Sequence, residues 1–437
     1  MAIAVILSIL LLVILSLFRV NVLLAIIVSA MAAGLMSGLD PVETSKLFVE
    51  NLTGNANTAL SYILLGGFAV AISLTGITKG LVQFLKRLIK GRRGIMLIVI
   101  VIIASLSQNA IPVHIAFIPI LIPPLIAVFD KMQLDRRAVA TALTFGLKAP
   151  YLTIPLGFGL IFQVIIVDEM ELNGVDIALD QVTLAMIIPG LGMVVGLLIA
   201  LFITYRKKRD YAQVKPEGEP SDYSVTDDVP FAFERKHAMT LLAIVAALLV
   251  QIFTEEMVLG ALTGLLLMFL LVAVPLKQSE EVMSKGISMM GMIAFIMLAA
   301  SGFGGILRET GSVEAIVEAS SGWLEGNQLM IAFVLLLIGL IVTLGLGSSF
   351  GTIPILAVLY VPIATAAGFS PMAIAVLIGT AGALGDAGSP ASDSTLGPTA
   401  GLNVDGKHNH IWDTCVPTFL HFNIPLFIFG MIAAVIL

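Results

Sequence analysis

Residues 382–394, Gly-Ala-Leu-Gly-Asp-Ala-Gly-Ser-Pro-Ala-Ser-Asp-Ser, interrupt an otherwise apolar run of membrane length near the C-terminal end. In hydrocarbon, each backbone N–H and C=O must be satisfied inside its own helix. A broken polar stretch therefore survives at membrane depth only where protein buries it or a water-filled cavity reaches it. The segment thus demands a helical bundle around it, and the simplest reason to keep it is an ion or substrate site.

The rest of the chain supplies that bundle. With 58% hydrophobic and 12% charged residues over 437 positions, and a mean hydropathy of +1.06, this is the composition of a polytopic membrane protein. The lipid bilayer is its first expected partner, and no nucleic-acid partner is expected. The run 2–18 has its first positive charge, Arg19, on the far side. It lacks the basic leader of a cleavable signal peptide and reads as a retained span. One cysteine, Cys415, excludes an intrachain disulfide, and there is no HExxH metal motif. No cofactor is expected beyond Na⁺ and/or H⁺ as coupling ions, and no enzyme chemistry.

Apolar runs of helical length fall at 2–18, 21–39, 58–78, 94–109, 112–129, 138–165 and 181–204, then at 238–254, 257–275, 286–307, 329–346, 350–368, 371–402 and 414–437. Between the two sets lies 205–236, opening with Arg206, Lys207, Lys208 and Arg209 and reading as a solvated linker. Placing that linker in the cytoplasm fixes every other loop by alternation. The cytoplasmic loops then hold 20 of the 23 Lys and Arg, whereas the outer loops hold only Lys46 and Arg308. This agrees with the positive-inside rule and predicts a multi-pass protein of the cytoplasmic membrane.

The two sets resemble each other at a constant offset of 235: Phe68 with Phe303, Thr75-Gly76 with Thr310-Gly311, Pro119 with Pro354, Ala138 with Ala373. Lys79, Lys86, Arg87, Lys90, Arg92 and Arg93 align with Glu314, Ser321, Gly322, Glu325, Asn327 and Gln328, which removes all six positive charges. Equivalent loops therefore face opposite sides. The sequence predicts two inverted-topology repeats, 1–204 and 237–437, joined by the cytoplasmic linker 205–236. After a shift of five residues, Pro150, Leu156 and Gly157 match Pro390, Leu396 and Gly397. The segment 146–157 is thus the twin of 382–394, and paired broken helices point to a transporter's binding site.

Only Asp386, Asp393 and Lys148 place an Asp, Glu, Lys or Arg inside the spans. Such a charge costs about 2.5–3.5 kcal/mol at a helix centre and is a functional hypothesis by default. Asp386 and Asp393, with Ser389, Ser392, Ser348, Ser349 and Thr352, offer carboxylates and hydroxyls suited to Na⁺ or to H⁺. Asp393 as a mere helix cap is the bland reading. Lys148, Asn109, Gln108, His114 and Thr153 form the candidate substrate-binding set. Lys148 either holds a substrate carboxylate, stands where a second Na⁺ would sit, or simply pairs with an aspartate; His114 as a satisfied core histidine is the alternative there. The runs 94–130 and 329–368 are each either two spans or one re-entrant hairpin. Residues 347–351 match the GxSxG nucleophile pattern, but no strand precedes them and the available base, His421, lies in another span.

The runs Gly-Asp-Ala-Gly-Ser-Pro-Ala-Ser-Asp at 385–393 and Gly-Ser-Ser-Phe-Gly-Thr-Ile-Pro at 347–354, with the halved architecture, resemble the NhaC-like Na⁺/H⁺ antiporter family within the ion-transporter superfamily. The resemblance covers nearly the whole chain. It implies an all-α polytopic membrane fold of two inverted repeats, with re-entrant hairpins at 94–130 and 329–368 and discontinuous helices near 146–157 and 382–399, moving as an elevator. It implies a secondary transporter of the Na⁺/H⁺ antiporter kind. Because similar proteins carry amino acids and hydroxycarboxylates, a Na⁺- or H⁺-coupled carrier of an amino acid or small carboxylate is the alternative. A homodimer is compatible with either.

Overall fold

A computed structural model of the chain describes residues 2–18, 20–77, 80, 93–109, 118, 122–211, 232–254, 256–311, 327–390 and 392–437. The first half runs α1 (Ala2–Leu17), α2 (Val22–Met36), α3 (Pro41–Glu50), α4 (Ala56–Leu74), α5 (Arg93–Asn109), α6 (Ile126–Lys131), α7 (Arg136–Thr153), α8 (Phe158–Leu172) and α9 (Leu179–Ile199), the last continuing through a π-helical turn, Ala200–Thr204. The second half runs α10 (Arg235–Thr254), α11 (Met257–Leu270), α12 (Ser279–Glu309), α13 (Gln328–Leu346), α14 (Ser349–Ala366), α15 (Pro371–Ala383), α16 (Asp393–Leu402) and α17 (His410–Ile436). Among the described residues there is no strand.

Local chemistry sets these boundaries. Asn21, Asp40, Asp135 and Ser370 each accept a backbone N–H from the first turn of the helix that follows, which satisfies groups that would otherwise be orphaned at a helix start. Five helices among the described residues are long and apolar enough to cross a membrane, in α9, α10, α12, α14 and α17. Helices α7 and α8 together form a sixth such span, bent by 47°. Large apolar side chains stay exposed along α9 and α10, as at Leu184, Leu191, Leu198, Leu242, Val245 and Ile252. In a bilayer such a surface faces lipid. The halves also meet backbone to backbone: a Cβ at Gly286 of α12 would lie 2.4 Å from the amide nitrogen of Gly67 in α4. Small residues of this kind let membrane helices approach closely.

Element boundaries recur along the chain. Helices α5 and α13 begin at 93 and 328, α6 and α14 end at 131 and 366, and α7 and α15 begin at 136 and 371, each pair 235 apart. Gln328 Nε2 donates to Gly368 O at 3.1 Å, and the Tyr360 hydroxyl donates to Leu335 O. Thus α13 and α14 are the antiparallel legs of a helical hairpin, with its turn at Gly347 and Ser348. The tip expected for a first-half hairpin, near 107–114, lies outside the described residues apart from the end of α5.

At the end of the bundle that the charge pattern assigns to the cytoplasm, a buried polar knot ties the halves together. The guanidinium of Arg136, fully buried, donates to Asp405 (2.7 Å), Asp130 (3.0 Å) and Leu402 O (3.0 Å). The Tyr211 hydroxyl accepts from the Arg136 amide at 2.9 Å, and Lys407 Nζ donates to Tyr211 O at 3.0 Å. Arg209 reaches Asp413 at 2.9 Å. Among the described residues, the linker therefore differs from its sequence reading only at Arg209 and Tyr211: Arg206, Lys207 and Lys208 are exposed, whereas Arg209 finds Asp413 and Tyr211 is buried against Arg136. Burial alone would raise the Asp405 carboxyl, but the hydrogen bonds and charge of Arg136 outweigh it and hold the group below its usual range. His408 is also buried, and burial, reinforced by Arg136 and Arg209 against Asp413 and Asp135, pushes its imidazole down to about 4.

Candidate functional site

Both helix breaks exist where the polar segments fall. Helix α7 carries Pro150, ends at Thr153 in extended backbone at Ile154, and restarts as α8 after Gly157. Helix α15 ends at Ala383. Gly385 and Gly388 then take φ of 82° and 135°, and Ser392 caps α16 by accepting the Ser394 N–H at 3.1 Å. Gly388 has no alternative residue: a Cβ there would lie 2.8 Å from the Cα of Phe419.

Those breaks and the hairpin turn converge on one carboxylate. Asp386 is 1% exposed. Its Oδ2 accepts from Lys148 Nζ at 2.5 Å, from the Ser349 N–H at 3.1 Å and from the Ser349 hydroxyl. Its Oδ1 accepts from the Ser392 hydroxyl. With the Ser349 proton on Asp386, the Tyr151 hydroxyl is the donor in its 2.7 Å contact with Ser349 Oγ. Asp393, in the first turn of α16, is different. Its side chain is 43% exposed and lies 3.5 Å from Lys148 Nζ and 3.4 Å from Ser392 Oγ. Two carboxylates face one ammonium, so the cluster carries one net negative charge.

The sequence-predicted residues divide into those in this cluster and those beside it. Asp386, Asp393, Ser349, Ser392 and Lys148 are together. Ser348 instead caps α14, accepting the Gly351 N–H, and Thr352 donates to Ser348 O at 2.7 Å. Ser389 turns away to donate to Leu344 O at 2.9 Å, and Thr153 donates to Ala149 O within its own helix. Asn109 and Gln108 belong to α5, but their side chains, like all of His114, lie outside the described residues. Of the three roles the sequence left open for Lys148, the structure shows the pairing with an aspartate, because the two breaks face each other across the bundle.

Three supporting residues had no part in the site as read from the sequence. Asn423 clamps the broken segment, accepting the Gly385 N–H at 2.7 Å and donating to Ala387 O at 2.8 Å. Thr144 donates to Ser394 O at 2.8 Å, and Tyr151 supports Ser349. An unwound stretch needs outside partners for its backbone. A lone Asn in the last apolar span was the available signal. Ser349 is engaged by Asp386 and Tyr151, and His421 by Pro417 O and Thr204. The GxSxG pattern therefore has no nucleophile–base pair.

A family model described as the Na⁺/H⁺ antiporter family matches residues 142–431, a span that holds every residue of the cluster. The chain belongs to the Na⁺/H⁺ antiporter family. A second model, also for a Na⁺–H⁺ antiporter family, matches residues 3–89. An uncharacterised membrane protein of Vibrio parahaemolyticus is 47% identical over 99% of both chains. A Bacillus subtilis protein named putative amino acid transporter YuiF is 44% identical over 99% of this chain and 100% of its own. In fold, this family member is similar to the YdaH transporter of Alcanivorax borkumensis (TM-score 0.63, 14% identity, covering 89% of this chain and 86% of that one) and to MtrF of Neisseria gonorrhoeae (TM-score 0.57, 15% identity, 90% and 84%). It is an all-α, multi-pass membrane protein and a secondary transporter rather than an enzyme.

Proposed function

We propose that this protein exchanges Na⁺ for H⁺ across the cytoplasmic membrane, with Asp386 and Asp393 as the cation ligands and the ammonium of Lys148 as the internal competitor. The observation that carries this is the buried contact of Lys148 with Asp386 beside the half-exposed Asp393. Two carboxylates and one ammonium carry a formal charge of one negative, and exchanging the ammonium's proton for one Na⁺ leaves that charge unchanged. Na⁺ entering at Asp393 and drawing on Asp386, Ser349 and Ser392 takes the oxygens that anchor Lys148, and the ammonium, losing its counter-charge, gives up a proton. The reverse order returns it. Each ion then excludes the other, which is the requirement for antiport. The recurring element boundaries support two inverted repeats, 1–204 and 237–437, with the two breaks as equivalent parts.

One observation favours a second reading. Lys148 and the half-exposed Asp393 place opposite charges 3.5 Å apart, side-chain types that the two ends of an amino acid could meet, and a relative of nearly equal length bears the name of a putative amino acid transporter. Proteoliposomes loaded with a pH-sensitive dye separate the two. Proton flux on adding Na⁺ alone is expected from antiport; flux that requires an amino acid would replace that reading with coupled uptake.

A further inference from the structure

Away from the transport cluster, a cleft of about 250 Å³ opens at the cytoplasmic end of the bundle, between the start of α5 and the last turn of α9. Leu97 and Leu201 form buried apolar walls, and Phe202, 50% exposed, stands at the edge. Three cations complete the lining: Arg93, Arg206 and Lys207. None of the three has an ion-pair partner among the described residues, in contrast to Arg136, Arg137 and Arg209, each of which is held by an aspartate. Above the cleft, Leu198, Phe202 and Ile203 continue as an exposed apolar strip of α9, a surface that faces acyl chains in a bilayer.

Such a site is amphipathic in a defined order, with cations at the cytoplasmic level and hydrocarbon above them. An inorganic anion would satisfy the cations and gain nothing from the apolar walls. A zwitterionic lipid would bring its own positive charge to a cleft that already has three. We propose that this cleft is a binding site for the headgroup of an anionic phospholipid, with Arg93, Arg206 and Lys207 on the phosphate and the acyl chains along Leu198, Phe202 and Ile203. Clusters of Lys and Arg at the cytoplasmic boundary attract anionic lipids in general. Here the cluster is also shaped into a cleft. Because Arg93 and Arg206 lie on different elements, a bound phosphate ties α5 to the linker that follows α9.

Thermal unfolding of the purified full-length protein in neutral detergent tests this, with phosphatidylglycerol, phosphatidylcholine or inorganic phosphate added at matched concentration. Phosphatidylglycerol is expected to raise Tm with saturation, since a ligand of the folded state stabilises by mass action, and the other two to leave it unchanged. In R93Q/R206Q/K207Q the apparent affinity for phosphatidylglycerol is expected to fall at least about 10-fold. A K236Q/K277Q control, which removes two cations elsewhere on the same side, is expected to respond like the parent. Equal stabilisation by inorganic phosphate would make this a small-anion site and overturn the lipid assignment. An unchanged response in the triple variant, or an equal loss in the control, would overturn the cleft. Should the triple variant not purify, the single R206Q and K207Q variants carry the same comparison at exposed positions.

Discussion

Lys148 Nζ lies 2.5 Å from Asp386 Oδ2, and this contact joins the broken helix of the first half to the broken helix of the second. Both groups are buried, so neither could keep its charge at that depth without the other. The same carboxylate also takes two serine hydroxyls and a backbone N–H. In the proposed exchange, an incoming cation competes with Lys148 for the oxygens of this acid.

Removing one partner of this pair leaves an uncompensated buried charge. K148M and D386N are each expected to destabilise the protein by about 3–5 kcal/mol, whereas the double variant recovers most of that loss. Unfolding in detergent measures all three. Additive losses would mean that the two side chains are not energetically coupled.

Asp393 separates stability from function. Its side chain is 43% exposed and its contacts to Lys148 and Ser392 are long, so D393N is expected to change stability by less than about 1 kcal/mol. Cation-driven flux is expected to fall below about a tenth of wild type, because the proposed exchange has the incoming ion arrive at this carboxylate. Unaltered flux in D393N would leave Asp393 as a residue of the first turn of α16 and nothing more.

The geometry of the second break rests on Gly388. Its φ of 135° and the backbone of Phe419 leave no room for a methyl group. G388A is expected to cost more than about 1–3 kcal/mol and to lower flux with it, since the turn that presents Asp386 must move. A variant with wild-type Tm and flux would contradict this.

Stability should also fall on acidification through the polar knot. His408 is depressed to about 4, so below its ordinary value of 6.5 the unfolded chain takes up a proton that the folded one refuses. The stability it contributes is fully present above pH 6.5 and is lost as pH falls to about 4. The size is roughly 3 kcal/mol at one pKa unit per ~1.4 kcal/mol. Asp405, held low by Arg136, adds in the same direction at more acidic pH. Unfolding midpoints of wild type and H408Q between pH 7 and 4 check the first part: the variant is expected to have the flatter profile.

Much of this architecture was legible because hydrocarbon leaves few options. Among the described residues the apolar runs became helices, and the breaks fell at Pro155 and Gly157 in the first half and at Gly385, Gly388 and Pro390 in the second, since proline lacks the N–H a helix needs and these glycines take positive φ. That Lys148 pairs with an aspartate was one of the readings the sequence offered, but that Asp386 rather than Asp393 is the close partner was not legible, because spacing within one helix says nothing about which residues of two breaks meet. Nor were Thr144 and Asn423, whose role depends on backbone groups that become available only once the opposing helix has unwound. Arg209 and Tyr211 read as part of a solvated linker because the partners that hold them, Asp413 and Arg136, are distant in sequence.

The central claim, that Na⁺ and the proton held at Lys148 compete for one cluster, is tested most directly by counting protons released per Na⁺ bound by the purified protein in weakly buffered detergent solution. About one proton per Na⁺ is expected for the wild type, and none for K148M/D386N. Na⁺ binding by the wild type without proton release would contradict it.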